Sequence, residues 1–147
     1  MSASPWTELG PLPERLNMAQ FLVERAKSAP AALAIRVARS QGDTVHFEDT
    51  TFAQLDQHSG ELAIGLTWAG FRRGARVSVF VRPGVELIAI TFALLRIGAV
   101  PVLIDPGMGR KNVLSCVERM APAAFIGMMA GENMGKRLVR VGADPTL

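Results

Sequence analysis

The sequence predicts an α/β fold, with a mostly parallel sheet that carries helices on both faces and a β-hairpin ahead of it. Two observations support this prediction. After residue 50, helical and strand patterns alternate along the chain, which is the order that builds parallel sheets. The strand candidates in that part are apolar on both faces, as expected for strands that are covered from each side.

The first elements are an arm and a short helix. Residues 1–16 are rich in proline and are predicted to be an extended arm, so that residues 17–147 form one α/β subdomain. Asn17, followed three residues later by Gln20, matches a helix-capping pattern. The helical spacing of apolar residues continues from there, and Pro30 is predicted to end the helix.

Two strand patterns follow and predict the hairpin. Residues 33–38 and 44–48 are the strand candidates, and the polar, glycine-containing stretch 40–43 is the predicted turn.

The clearest helix begins after Thr51. Thr51 and Gln54 have the spacing of a capping box, and Gly70 stands where a left-handed stop is expected. Leucines recur on one face of this helix, interrupted by Ser59. A strand is predicted over residues 76–82.

The most apolar part of the chain comes next. It predicts a helix over residues 85–97, buried between layers, a stop at Gly98 and a core strand over residues 100–104. The remaining elements are weaker: a short helix at 112–120 and strands at 123–126 and 138–141, with 128–137 left open between helix and loop.

Composition excludes several classes of protein. The chain has 147 residues, a net charge of +3 and 49% hydrophobic residues, which suits one folded domain or part of a larger one. Most basic residues are scattered and there is no tyrosine, which argues against nucleic-acid binding. Residues 85–104 are long enough to span a bilayer, but Arg96 and Pro101 lie inside, so no transmembrane segment is predicted. With one cysteine and no secretory signal, a cytoplasmic location is expected.

Two glycine-containing segments are candidate phosphate sites. Residues 131–137 resemble a Walker A loop but have too few residues between the glycines, and Arg137 replaces the required Ser or Thr, which favours a surface loop. Residues 106–111 follow a strand and carry two cations, yet a plain strand-to-helix turn is the preferred interpretation.

Individual reactive side chains have no partners at catalytic spacing. His46 and His58 lack a metal-ligand pattern, and Cys116 is interpreted as a small buried residue. Asp105 ends a core strand, where α/β sheets place ligands, but is expected to cap its own turn. Asp56 and Glu61 are expected to be solvated on their helix. No catalytic, cofactor-binding or metal-binding residue is therefore assigned.

Three motifs, in order, resemble those of the adenylate-forming enzymes, which include acyl-CoA synthetases, peptide-synthetase adenylation domains and luciferases. They are Thr51–Leu55, Gly74–Leu87 and Leu94–Pro106, and the likeness runs from about residue 17 to about residue 127. Within this family, residues 81–83 and 102–107 look most similar to the fatty-acyl-activating branch, in particular to enzymes of olefin pathways that close β-lactones.

The resemblance implies the N-terminal portion of a ligase that activates a fatty-acid-like carboxylate with ATP and Mg²⁺. The acyl-adenylate then passes to CoA or closes to a β-lactone. In this family the phosphate loop, the adenine site and the catalytic lysine lie beyond the matched stretch. This chain alone is therefore expected to bind no cofactor and to be inactive, and a sheet cut short is expected to leave an edge for self-association.

Two other interpretations stay open. A catalytically dead, shortened paralogue would use the uncovered sheet to bind a partner or to regulate a full-length enzyme. An unrelated dinucleotide-binding fold is disfavoured, because the G-x-G-x-x-G pattern is missing.

Overall fold

A computed structural model describes residues 14–105, 107–109, 111–113, 115, 124–127 and 137–140 of the chain. Its helices and strands, in chain order, are α1 (Ala19–Ser28), β1 (Leu33–Gln41), β2 (Thr44–Thr51), α2 (Phe52–Trp68), β3 (Arg76–Phe80), α3 (Val85–Arg96), β4 (Val100–Leu103), β5 (Ala124–Gly127) and β6 (Arg137–Arg140). Of the predicted arm over residues 1–16, residues 1–13 lie outside the described residues, as do most of the predicted helix at 112–120, Cys116 and residues 128–136.

The strands form two separate sheets. β1 and β2 make an antiparallel hairpin, and the second sheet has the order β4-β3-β5-β6. β3 is parallel to both β4 and β5, whereas β6 is antiparallel to β5. The predicted α/β fold with a mostly parallel sheet and a hairpin is thus confirmed.

The core lies on one face of β3. Val77, Val79 and Val81 point into a cluster to which α2 contributes Leu66 and α3 contributes Leu94, which is fully buried. Ser78, on the opposite face of the strand, is also fully buried. Both faces of β3 are therefore covered, as its sequence predicts.

Helix α3 is the centre of the molecule. Every residue from Val85 to Ile97 is buried or half-buried. One side faces the core on β3, and Ala89 faces a second cluster with Leu22 of α1 and Leu55 of α2. The expected position of this helix between two layers is confirmed.

Local signals set the helix ends. The Thr51 backbone N–H donates to Gln54 Oε1 at 2.9 Å, and the Gln54 N–H donates to Thr51 Oγ1 at 3.3 Å, which is the predicted capping box. Gly98 has a φ of +74°, and a β-carbon added there would lie 3.0 Å from Arg73 Cγ. A side chain at residue 98 would therefore strain the backbone and displace Arg73.

Asn17 departs from its predicted role. Instead of sharing a capping box with Gln20, its Oδ1 accepts a hydrogen bond from the Ala19 N–H at 2.9 Å. Its Nδ2 donates to the Leu95 carbonyl at 3.0 Å, which ties the start of α1 to the end of α3.

β4 lies at the edge of the described sheet and pairs there only with β3. The N–H groups of Val100 and Ile104 donate inward, to Ala75 and Val79, at 2.8 and 2.9 Å. Backbone groups alternate along a strand of a parallel ladder, so those of residues 100, 102 and 104 face β3 and those of residues 101 and 103 face outward. One of these is Pro101, which has no N–H to offer.

Candidate functional site

Asp105 follows β4, at the carboxyl end of the parallel strands, where sheets of this class bind ligands. Its Oδ1 accepts a hydrogen bond from the Gly107 N–H at 2.8 Å, and its carbonyl accepts one from the Met108 N–H at 3.0 Å. Asp105 thus shapes the turn that follows it, as predicted.

The described residues that follow, 107–109 and 111–113, fit a strand-to-helix turn, the interpretation that the sequence favoured. The N–H groups of Asn112 and Val113 both donate to the Gly109 carbonyl, at 2.9 and 3.2 Å, and residues 111–113 are helical. Lys111 is exposed to solvent.

Asp56 lies in a different setting from the one predicted. Instead of being solvated, it forms an ion pair with Arg96 of α3, and both side chains are mostly buried, at 32% and 22% exposure. Arg96 Nε also donates to Ser59 Oγ at 3.1 Å, and Ser59 donates to the Asp56 carbonyl at 3.0 Å. Three polar groups thus join α2 to α3.

The prediction for Asp56 was wrong because helical spacing places it near Ser59, on the face of α2 that packs against α3. Glu61 is exposed, as predicted, and accepts a hydrogen bond from Gln57 at 2.9 Å. We name the set of Asp56, Ser59 and Arg96 the interhelix cluster. It lies at the end of α3 that leads into the start of β4, opposite the edge where ligands are expected.

The two histidines lie on different elements. His46 is exposed on β2, opposite Arg39 in the hairpin ladder, and His58 is half-buried on α2. Over the described residues, no three His, Cys, Asp or Glu side chains lie close enough to hold a metal ion. No helix in that part of the chain has both the length and the apolar character needed to cross a bilayer.

An apolar groove of about 470 Å³ opens between α1, β1, α2 and α3, and sequence reasoning missed it. It is lined by Phe21, Leu22, Arg25, Ala34, Ile35, Phe52, Leu55, Ile88 and Phe92. The Arg25 guanidinium lies 5.6 Å from the centre of the Phe52 ring, a cation–π distance. Four elements build the groove, so no single stretch of sequence predicts it.

A second depression lies between α2 and the end of α3, beside Arg96. It is bordered by Gly60, Ile64 and Trp68, and the two large side chains are 62% and 87% exposed. Such apolar exposure is typical of surfaces that bind a partner.

Comparison with known proteins adds three findings. The family described as "AMP-binding enzyme" matches residues 23–144. A protein of Stenotrophomonas maltophilia named olefin beta-lactone synthetase is 41% identical over 116 residues, which cover 76% of this chain and 21% of that protein. One of the same name from Xanthomonas campestris is 37% identical over 133 residues, covering 88% of this chain and 24% of its own length.

Solved structures show the same fold. The fatty acid AMP ligase of Legionella pneumophila aligns with a TM-score of 0.66 and 25% identity, over 74% of this chain and 19% of that one. The N-terminal subdomain of Klebsiella oxytoca NpsA aligns with a TM-score of 0.67 and 18% identity, over 81% of this chain and 29% of that one. The chain spans about a fifth to a quarter of the length of the two synthetases it matches.

Proposed function

Because this chain belongs to the AMP-binding enzyme family, we propose that it is the N-terminal segment of an ATP-dependent acyl-activating ligase. The reaction is the activation of a carboxylic acid to an acyl-adenylate with release of pyrophosphate. The observation that supports this is the family match over residues 23–144, which includes all three motifs found in the sequence.

We infer a fatty-acid-like substrate and an olefin-pathway product. Two relatives at 37–41% identity are named olefin beta-lactone synthetase. More distant relatives, at 32% identity, are named 2-succinylbenzoate–CoA ligase. The higher identity favours closure of the acyl group to a β-lactone over transfer to CoA.

In this proposal the described residues serve as scaffold. Mg²⁺ prefers several oxygen ligands, and the described acidic side chains form no cluster of three. Asp105 is engaged in its own turn, and Asp56 is paired with Arg96. We propose that ATP and Mg²⁺, and CoA if it is the acceptor, bind to the part of the ligase that follows the matched stretch, as the resemblance to the family implies.

The test begins with the nucleotide sequence after codon 147. If an open frame follows, the 147-residue chain and the extended product are both purified and supplied with ATP, Mg²⁺, hydroxylamine and a series of fatty and β-hydroxy acids. We expect acyl-hydroxamate from the extended product alone. Hydroxamate from the short chain would contradict the scaffold role, and none from a folded extended product would contradict the ligase assignment.

A second candidate function is a non-catalytic, partner-binding module. The exposed Trp68 and Ile64 beside Gly60 favour this function, and it requires that no ligase sequence follows codon 147.

Self-association is a related proposal, since Val100 and Leu103 are about half-exposed on the edge strand β4. Sedimentation velocity over a range of concentrations tests it, and a constant monomer mass would contradict it. We also propose a cytoplasmic location, which fractionation of the source cells tests.

A further inference from the structure

The apolar groove between α1, β1, α2 and α3 has features of a small-molecule site. Its volume, about 470 Å³, lies within the range of ligand pockets, about 300–1,000 Å³. The floor is formed by Leu22 and Leu55, each only 3% exposed, and three phenylalanine rings form much of the wall. The floor is part of the packed interior, because both leucines belong to the second core cluster.

Among the described residues that line the groove, one side chain is charged. It is Arg25, whose guanidinium lies over the Phe52 ring and which forms no ion pair within the described part of the chain. A guanidinium keeps its charge at all ordinary pH values and binds a carboxylate through two parallel hydrogen bonds. The groove therefore combines apolar walls with a single fixed positive charge, which complements an apolar molecule that carries one negative group.

The dimensions favour a compact ligand over a helix of another protein. Each helix contributes about one turn to the lining: Phe21 to Arg25 on α1, Phe52 to Leu55 on α2, and Ile88 to Phe92 on α3. A docked amphipathic helix needs anchors over at least two turns. One turn of wall suits a short alkyl or aryl chain.

We propose that this groove binds a compact apolar carboxylate, with its chain on Leu22, Leu55 and the phenylalanine rings and its carboxylate on Arg25. The proposal concerns binding alone and does not depend on whether the protein forms an adenylate.

Octanoate is the probe, with octanol as the uncharged control. Titrations of the 147-residue chain are followed by the methyl NMR signals of Leu22, Leu55 and Ile88. We expect saturable shifts at these methyls, with octanoate binding more tightly than octanol. Arg25→Gln is expected to weaken octanoate binding about threefold to tenfold, because it removes one charge-assisted contact at a partly exposed site, and to leave octanol unchanged.

Two variants separate charge from shape. Lys27→Gln removes a charge from the same end of α1 but does not line the groove, so it is expected to bind octanoate like the wild type. Ala34→Leu fills the groove and is expected to prevent binding of both probes.

Three results would overturn the proposal. One is equal affinity for octanoate and octanol in the wild type. Another is equal weakening by Arg25→Gln and Lys27→Gln, which would mean that only overall charge matters. The third is a shift of the groove methyls with protein concentration in the absence of ligand, which would show that a second copy occupies the groove.

Discussion

The β1–β2 hairpin and the core around α3 are held together by different forces. In the hairpin, β2 is mostly exposed, and cross-strand ion pairs join Arg36 to Asp49 and Arg39 to Glu48. Around α3, apolar side chains are removed from water on two sides, and the ion pair of Asp56 and Arg96 is half-buried. Burial of apolar surface contributes far more than exposed ion pairs. We therefore expect stability to depend on the core and to be nearly insensitive to the hairpin charges.

Leu94→Ala is the strongest test of this difference. Leu94 is fully buried in the core cluster, so its truncation is expected to lower the free energy of unfolding by about 3–5 kcal/mol. Urea denaturation followed by circular dichroism measures the loss. Ile64→Ala, at a position that is 62% exposed, is the matched control and is expected to change stability by less than about 0.5 kcal/mol. Similar losses in both variants would contradict the assignment of the core.

Asp56→Asn tests the half-buried ion pair that joins α2 to α3. It leaves Arg96 without its carboxylate in a half-buried position, and we expect a loss of about 1–3 kcal/mol. Glu61→Gln removes a carboxylate from the exposed side of the same helix and is expected to be close to neutral. The same urea titration reports both, and equal effects would show that Asp56 is solvated after all.

Thr51→Ala acts at the junction of the two regions, since Thr51 ends β2 and caps α2. Loss of the capping oxygen is expected to cost about 1 kcal/mol. Thr51→Ser keeps that oxygen and should retain most of the stability, as measured by thermal unfolding. If serine were no better than alanine, the cap would not be the cause.

The smallest expected effect is in the hairpin. The Arg36 guanidinium, through hydrogen bonds of 2.6 Å, lowers the pKa of Asp49, and the Asp49 carboxylate raises the pKa of Arg36. The contribution of Asp49 to the free energy of unfolding is present above its unfolded pKa and is lost as the pH falls through its lower folded pKa. The contribution of Arg36 to the free energy of unfolding is lost only in strong alkali. Both groups are exposed, so salt should screen the pair.

Carboxyl-carbon NMR titration checks this directly. In Arg36→Gln the pKa of Asp49 is expected to rise towards its ordinary value. Asp49→Asn should leave the urea midpoint almost unchanged at neutral pH. A large shift of that midpoint would mean that the hairpin contributes more than its exposure suggests.

Patterns within one element were predictable from the sequence, because caps, turns and periodicity are local. The capping box of Thr51 and Gln54, the stop at Gly98 and the buried position of α3 were all predicted correctly. The family was likewise recognisable, since its motifs are short and keep their order.

Contacts between elements were not predictable in the same way. Asp56 and Arg96 are 40 residues apart, and Ser59 seemed only to interrupt an apolar face. A signal was present: a lone arginine near the end of an apolar helix needs a partner, and the polar pair on the inner face of α2 could supply one. The apolar groove gave no comparable signal in the sequence, because four separate elements line it.

Pro101 weakens the free edge of β4 as a site where another strand could pair. On the outer side of this strand, residue 101 has no N–H, so an added strand would find the carbonyl groups of residues 101 and 103 but a single donor, the Leu103 N–H. Chains that meet at this edge would be held by Val100 and Leu103 side chains, which makes a fibre-like extension of the sheet unfavourable there. Pro101→Val restores the missing donor. It should increase sedimenting oligomers and thioflavin-positive aggregates over those of the wild type, and unchanged association would show that the edge is closed by other means.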